Sequence, residues 1–155
     1  MSALRARSIG PARFNTAVHA LAGLAHNGGT VSSSIIAAQV QSHATFLRRI
    51  LATLASHGIV DTREGRDGGY SLRIPADTLT LADIYQAIRA EEHSGRETET
   101  VKTSCAPLSE ALSNLMHDAE GEAIEYLRRY TLADLLYDAS NRKKQEANQQ
   151  VQMVE

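Results

Sequence analysis

Three short stretches of helical apolar spacing lead directly into two short β-branched runs reversed around three glycines. That order limits the folds open to this chain more than any other feature. The first stretch starts at Pro11, a residue suited to a first helical turn, and repeats Phe14, Val18, Leu21 and Leu24 until Gly28-Gly29 stop it. Hydroxyls at Ser32, Ser33 and Ser34 suit the cap of a second, short helix holding Ile35, Ile36, Ala37 and Val40, which breaks at Gln41-Ser42. A third helix is expected over 43–56, capped by Ser42, burying Leu47, Ile50, Leu51 and Leu54 and closed by Gly58. Residues 59–62 and 70–74 then read as the strands of a hairpin, with Gly65, Gly68 and Gly69 in the turn. The expected fold is mainly α with a small two-stranded β wing: a winged helix-turn-helix plus a long dimerisation helix.

The rest of the chain divides by composition. Thr80 and Asp83 form a Thr-x-x-Asp cap ahead of Leu81, Ile84, Tyr85 and Ile88, a fourth helix. Residues 91–106 are polar without periodicity and read as a linker or loop. From Pro107 a long helical pattern carries Leu108, Leu112, Leu115, Ala119, Ile124 and Leu127. A second Thr-x-x-Asp, Thr131 to Asp134, opens a short terminal helix through about residue 138. The arm 1–10 and the Gln/Asn/Lys-rich stretch 139–155 lack apolar spacing and are expected to be mobile and disordered. The winged helix-turn-helix unit is placed at 11–90 and the long-helix dimerisation unit at 107–138.

The 155 residues suffice for one domain with its own core. No apolar run approaches the roughly 18 residues of a membrane span, and none follows Arg5 and Arg7 as a secretory signal requires. A single cysteine, Cys105, excludes an internal disulfide framework and fits a reducing cytoplasm. The net charge of −2 conceals an asymmetry: residues 1–75 hold eight Arg and three acidic residues, whereas 76–155 hold eight basic and fifteen acidic ones. A basic first half suits phosphates, and an acidic second half has another task.

A major groove about 12 Å wide admits one α-helix, so the third helix is the candidate reader. Its outer side carries Ser42, His43, Thr45, Arg48, Arg49 and Thr53, the first of them at the amino end where such helices meet bases. Ser34 on the second helix joins this set. Arg48 and Arg49 suit either guanine or phosphate. In the hairpin, Arg63 flanks the turn and Arg66 stands near its tip, where a minor groove attracts arginine. The glycines around them permit a tight turn and close approach to a sugar–phosphate backbone. Alone, such a hairpin is more often a solvated surface element; its place directly after a helix-turn-helix reverses that preference.

Taken together, Ser33-Ser34-Ile35-Ile36-Ala37, Phe46-Leu47-Arg48-Arg49-Ile50-Leu51, His57-Gly58-Ile59-Val60 and Gly65-Arg66-Asp67-Gly68-Gly69-Tyr70-Ser71-Leu72 resemble, in order and spacing, the Rrf2 family of transcriptional regulators. Leu79-Thr80-Leu81-Ala82-Asp83-Ile84 and Thr131-Leu132-Ala133-Asp134-Leu135 look like two further signatures of that family, and the likeness covers roughly 8–137. The resemblance implies a homodimer whose long helix, about 107–129, crosses its twin, with the pair on a palindromic operator in double-stranded DNA. It also marks a departure. Cluster-binding members carry three cysteines between the fourth helix and the dimer helix, whereas this chain has only Cys105, at what resembles the last of those positions. Leu108 stands where some members place a histidine ligand. Soft thiolates dominate iron–sulfur binding, so no conventional cluster and no other cofactor is expected.

Cys105 has three readings: a vestige of lost ligands, a redox-sensing thiol, or a packed side chain. Its position just before the Pro107 helix start, near Lys102, favours a thiolate modestly. The small-molecule or oxidant signal is not specified by the residues. Six histidines form no His-x-x-x-His pair and no Cys/His cluster, so no metal site is expected. No phosphate loop or nucleophile elbow is present, and Glu91-Glu92 is read as a solvated pair in a loop, so an enzyme is not expected. A winged-helix adaptor without sequence-specific DNA binding is the alternative, and the arginines at 48, 49, 63 and 66 speak against it.

Overall fold

A computed structural model describes residues 12–95 and 106–152. Pro11, the arm 1–10, Cys105 and most of the expected linker lie outside the described residues. Helix α1 (Ala12–Asn27) buries Ala17, Ala20, Leu21 and Leu24 on one face, and Gly28 ends it at φ 66°. Helix α2 (Ser33–Val40) is capped by Ser32, whose hydroxyl accepts from the Ile35 amide at 3.4 Å. The turn to the next helix needs a left-handed residue, and Gln41 supplies it at φ 53° while the Ser42 amide donates to the Ala37 carbonyl at 3.1 Å.

Helix α3 (Ala44–Ser56) has His43, not Ser42, at its N-cap position, and no side chain caps it. Its Leu47, Ile50, Leu51 and Leu54 are buried as the spacing predicts. The carboxyl end is a Schellman motif: the Gly58 amide donates to Ala55 and the Ile59 amide to Leu54, with Gly58 at φ 70°. Because Ile59 is consumed in this cap, strand β1 begins one residue later than expected, at Val60–Arg63. It pairs antiparallel with β2 (Gly69–Leu72), Val60 facing Leu72 and Arg63 facing Gly69. The wing is tied inward by a bridge between Val31 and Tyr70, with backbone bonds of 2.8 and 2.9 Å.

Helix α4 (Leu81–Gly95) continues past residue 90, so the expected linker begins later and Glu91 is helical. Helix α5 (Ala106–Leu127) follows, then α6 (Leu132–Gln152). The latter runs past the expected stop near 138 and makes 139–152 of the stretch expected to be disordered helical; 153–155 lie outside the described residues. Residues 139–152 contain no Gly or Pro and are rich in Gln, Lys, Arg and Ala, all favourable in helices, so a helix forms there despite low apolarity. The two Thr-x-x-Asp sequences both form capping boxes and meet: Thr80 bridges Thr131, the Leu81 amide donates to Tyr130 and the Leu132 amide to Leu79. Leu132 is fully buried in the main core, which anchors the start of α6 on the winged unit. Midway along α5, Glu120 takes a two-pronged ion pair from Arg89 of α4, at 2.5 and 2.9 Å.

Candidate nucleic-acid interface

The helix-turn-helix presents most of the expected contact residues outward. Ser34, His43, Thr45, Arg48 and Arg49 are exposed, and Ser42 is half-buried in the turn. Ser34 shares a 3.0 Å hydrogen bond with the capping Ser32. The missing side-chain cap at His43 leaves the first amides of α3 available, a donor array suited to phosphate. Thr53 departs from expectation. It is buried, because α4 packs over that part of α3, and its hydroxyl donates to the Glu91 carboxylate.

The wing carries Arg63 at the end of β1 and Arg66 in the turn, both exposed. Its glycines have reasons internal to the protein. Gly65 sits at φ 105°, and a Cβ on Gly68 would lie 2.4 Å from the Arg63 carbonyl oxygen. On Gly69 a Cβ would lie 2.3 Å from the Val31 oxygen and 3.0 Å from the Ser32 amide. The Gly-Gly pair thus lets the wing close on itself and press against the loop before α2. Since Gly69 faces Arg63 in the ladder, Arg63 stands beside the start of the helix-turn-helix.

Charge pairing sorts the arginines. Arg13, Arg73, Arg89 and Arg128 have carboxylate partners, whereas Arg48, Arg49, Arg63 and Arg66, like Arg129 and Arg142 elsewhere in the chain, form no ion pair with a described residue. Four cations without carboxylate partners on the reader and wing give a positive surface that costs little to dock on phosphate. Glu91, expected in a solvated loop, instead pairs with Arg13 of α1 while accepting from Thr53, a polar node linking α1, α3 and α4. Contacts across 78 and 38 residues leave no local signal in a sequence.

On α5, Leu108, Leu112 and Leu115 are 66%, 56% and 64% exposed, Ala119 is exposed, and none of the helix's residues is buried. Ile124 and Leu127 differ: both are half-buried, and Leu127 packs on the chain's own core.

Known proteins share this arrangement. The chain is 27% identical over 101 residues to the helix-turn-helix-type transcriptional regulator YwgB of Bacillus subtilis, covering 57% of this chain and 65% of that relative. A solved transcriptional regulator from Lactobacillus plantarum superposes with a TM-score of 0.66 at 26% identity, over 90% of this chain and 97% of that one. The structure of T. potens IscR matches in fold at a TM-score of 0.61 and 23% identity, over 84% and 87% of the two chains. A family model described as an iron-dependent transcriptional regulator matches residues 11–138. Helix-turn-helix, wing and family match agree, and the chain belongs to the Rrf2 family of DNA-binding transcriptional regulators, not to an enzyme family.

Proposed function

We propose that the chain acts in the cytoplasm as a homodimer that grips a palindromic operator and represses transcription there. The observation that carries the dimer is α5: a 22-residue helix, about 33 Å long, with Leu108, Leu112, Leu115 and Ala119 facing away from the chain's own core. Solvated leucines at 4- and 3-residue spacing are best covered by a twin helix. A two-fold pair then presents its α3 helices to successive major grooves, about 34 Å apart.

An iron–sulfur centre does not fit this chain. The sequence has one thiol, and among the described residues no three His, Cys, Asp or Glu side chains are grouped to hold a metal. Regulation is therefore assigned without a resident cluster. Cys105, one residue before α5 begins, carries the redox branch of the proposal: oxidation of its thiol weakens operator binding.

The test is fluorescence anisotropy with duplexes enriched from a random library. If all eight arginines of a dimer neutralise a phosphate, the plot of log affinity against log salt falls with a slope of about −7. A flat salt response would favour the adaptor reading, which needs no phosphate contacts. Peroxide is expected to release DNA from the wild type and not from Cys105→Ser. Equal release from both would remove the redox branch.

A further inference from the structure

We propose that Glu91 is a positioning residue for DNA reading: it holds the Thr53 hydroxyl and so sets the shape of the reader helix at Arg49. This rests on α3 being the reader. Thr53 is buried one turn after Arg49, and its hydroxyl has a single proton with two acceptors in reach. One is the Arg49 carbonyl oxygen, 3.0 Å away, and the other is the Glu91 carboxylate. The ionised acceptor makes the stronger bond and takes the proton. A threonine that instead donates to the carbonyl four residues back bends its helix. Here that carbonyl belongs to Arg49, one of the four arginines on the reader helix and wing that form no ion pair with a described residue, so the bend would move a side chain assigned to DNA.

Glu91 is itself fixed. It lies on α4, pairs with Arg13 of α1, and lines the cleft it shares with Arg49, Thr53 and His57. The node thus references the curvature of α3 to two other helices of the winged unit. When the carboxylate is removed, the hydroxyl of Thr53 turns to the Arg49 carbonyl. Sequence-independent phosphate binding survives a small shift of one side chain, whereas base reading depends on its position. Specificity should therefore fall more than affinity for arbitrary DNA.

The experiment uses the full-length protein and measures affinity for the library-enriched duplex and for a scrambled duplex of equal length, beside a thermal melt. Glu91→Ala is expected to lower the ratio of the two affinities about tenfold, the scale of one base contact, with scrambled-DNA affinity unchanged. Glu91→Gln, which keeps an acceptor without the charge, falls between Ala and the wild type. Thr53→Val added to Glu91→Ala restores the ratio without restoring the melting temperature, because the hydroxyl is gone while Arg13 stays unpaired. A purely structural role would move the melting temperature and leave the ratio alone. Equal loss on both duplexes, or no restoration by Thr53→Val, overturns the assignment. If Glu91→Ala does not fold, Glu91→Gln with and without Thr53→Val carries the same comparison, with the same directions required. A wild type that prefers no sequence would instead remove the reader reading itself, and this assignment with it.

Discussion

Replacing Gly69 with alanine tests the wing's internal anchor. The new Cβ would stand 2.3 Å from the Val31 oxygen and 2.6 Å from the Val31 carbon, both backbone atoms that cannot rotate away. Val31 also holds the wing, its N–H donating to the Tyr70 carbonyl at 2.8 Å and its carbonyl accepting from the Tyr70 N–H at 2.9 Å. Relief of the clash must therefore separate the groups that bond. Two buried backbone bonds contribute about 2 kcal/mol, and forcing a methyl into a filled space costs about 1–3 kcal/mol. Reduced freedom of the unfolded chain returns about 0.5–1 kcal/mol. The net loss is about 3 kcal/mol, a large fraction of a domain's stability. Urea unfolding followed by circular dichroism reads this loss, and hydrogen exchange at the Val31 and Tyr70 amides locates it. Gly29→Ala is the control: its Cβ would meet nothing within 4 Å, and a change within about 0.5 kcal/mol is expected. If Gly69→Ala also stays within that margin and both amides remain protected, the steric reasoning is wrong.

Three further outcomes follow from the packing. Leu112→Arg with Leu115→Arg should give a folded monomer by analytical ultracentrifugation, since both side chains are exposed on the single chain; a dimer that persists would move the interface elsewhere. Arg89→Ala leaves Glu120 without its two-pronged partner on a half-exposed surface, and after allowance for solvent screening about 1 kcal/mol of stability should be lost in urea. Asp134 has its carboxyl held below the usual range by the Thr131 amide and then by the Thr131 hydroxyl. A lowered folded value means that its contribution is present above the unfolded value near pH 4 and is lost as acid takes the pH through the folded value. Asp134→Ala should therefore unfold more easily than the wild type at pH 7, and the difference should vanish in strong acid; a constant difference would contradict the cap.

The helix-turn-helix and wing were legible because their determinants are local. Leu47, Ile50, Leu51 and Leu54 repeat at helical spacing, Gly58 permits the left-handed turn, and Gly65, Gly68 and Gly69 mark the hairpin. The packing role of Gly69 is not legible in sequence, since its neighbour is Val31, 38 residues earlier. The ends of α4 and α6 are not legible in sequence, because polar residues without apolar spacing look the same in a helix as in a loop. Glu91 is polar yet holds Arg13 and Thr53, and the stretch to Gln152 is helical through propensity. Thr53 has the same ambiguity: a hydroxyl looks solvated until its partner on another helix is known. The long-helix stripe was legible through Leu115, but Leu127 at its end turns to the chain's own core where the start of α6 docks.

The most direct test is the mass and symmetry of the protein–DNA complex. A duplex enriched from a random library is titrated with protein, weighed by native mass spectrometry and footprinted with hydroxyl radicals. Two chains per duplex, with protection symmetric about a dyad and half-sites about one helical turn apart, are predicted. One chain per duplex, or an asymmetric footprint, would contradict the dimer on a palindrome.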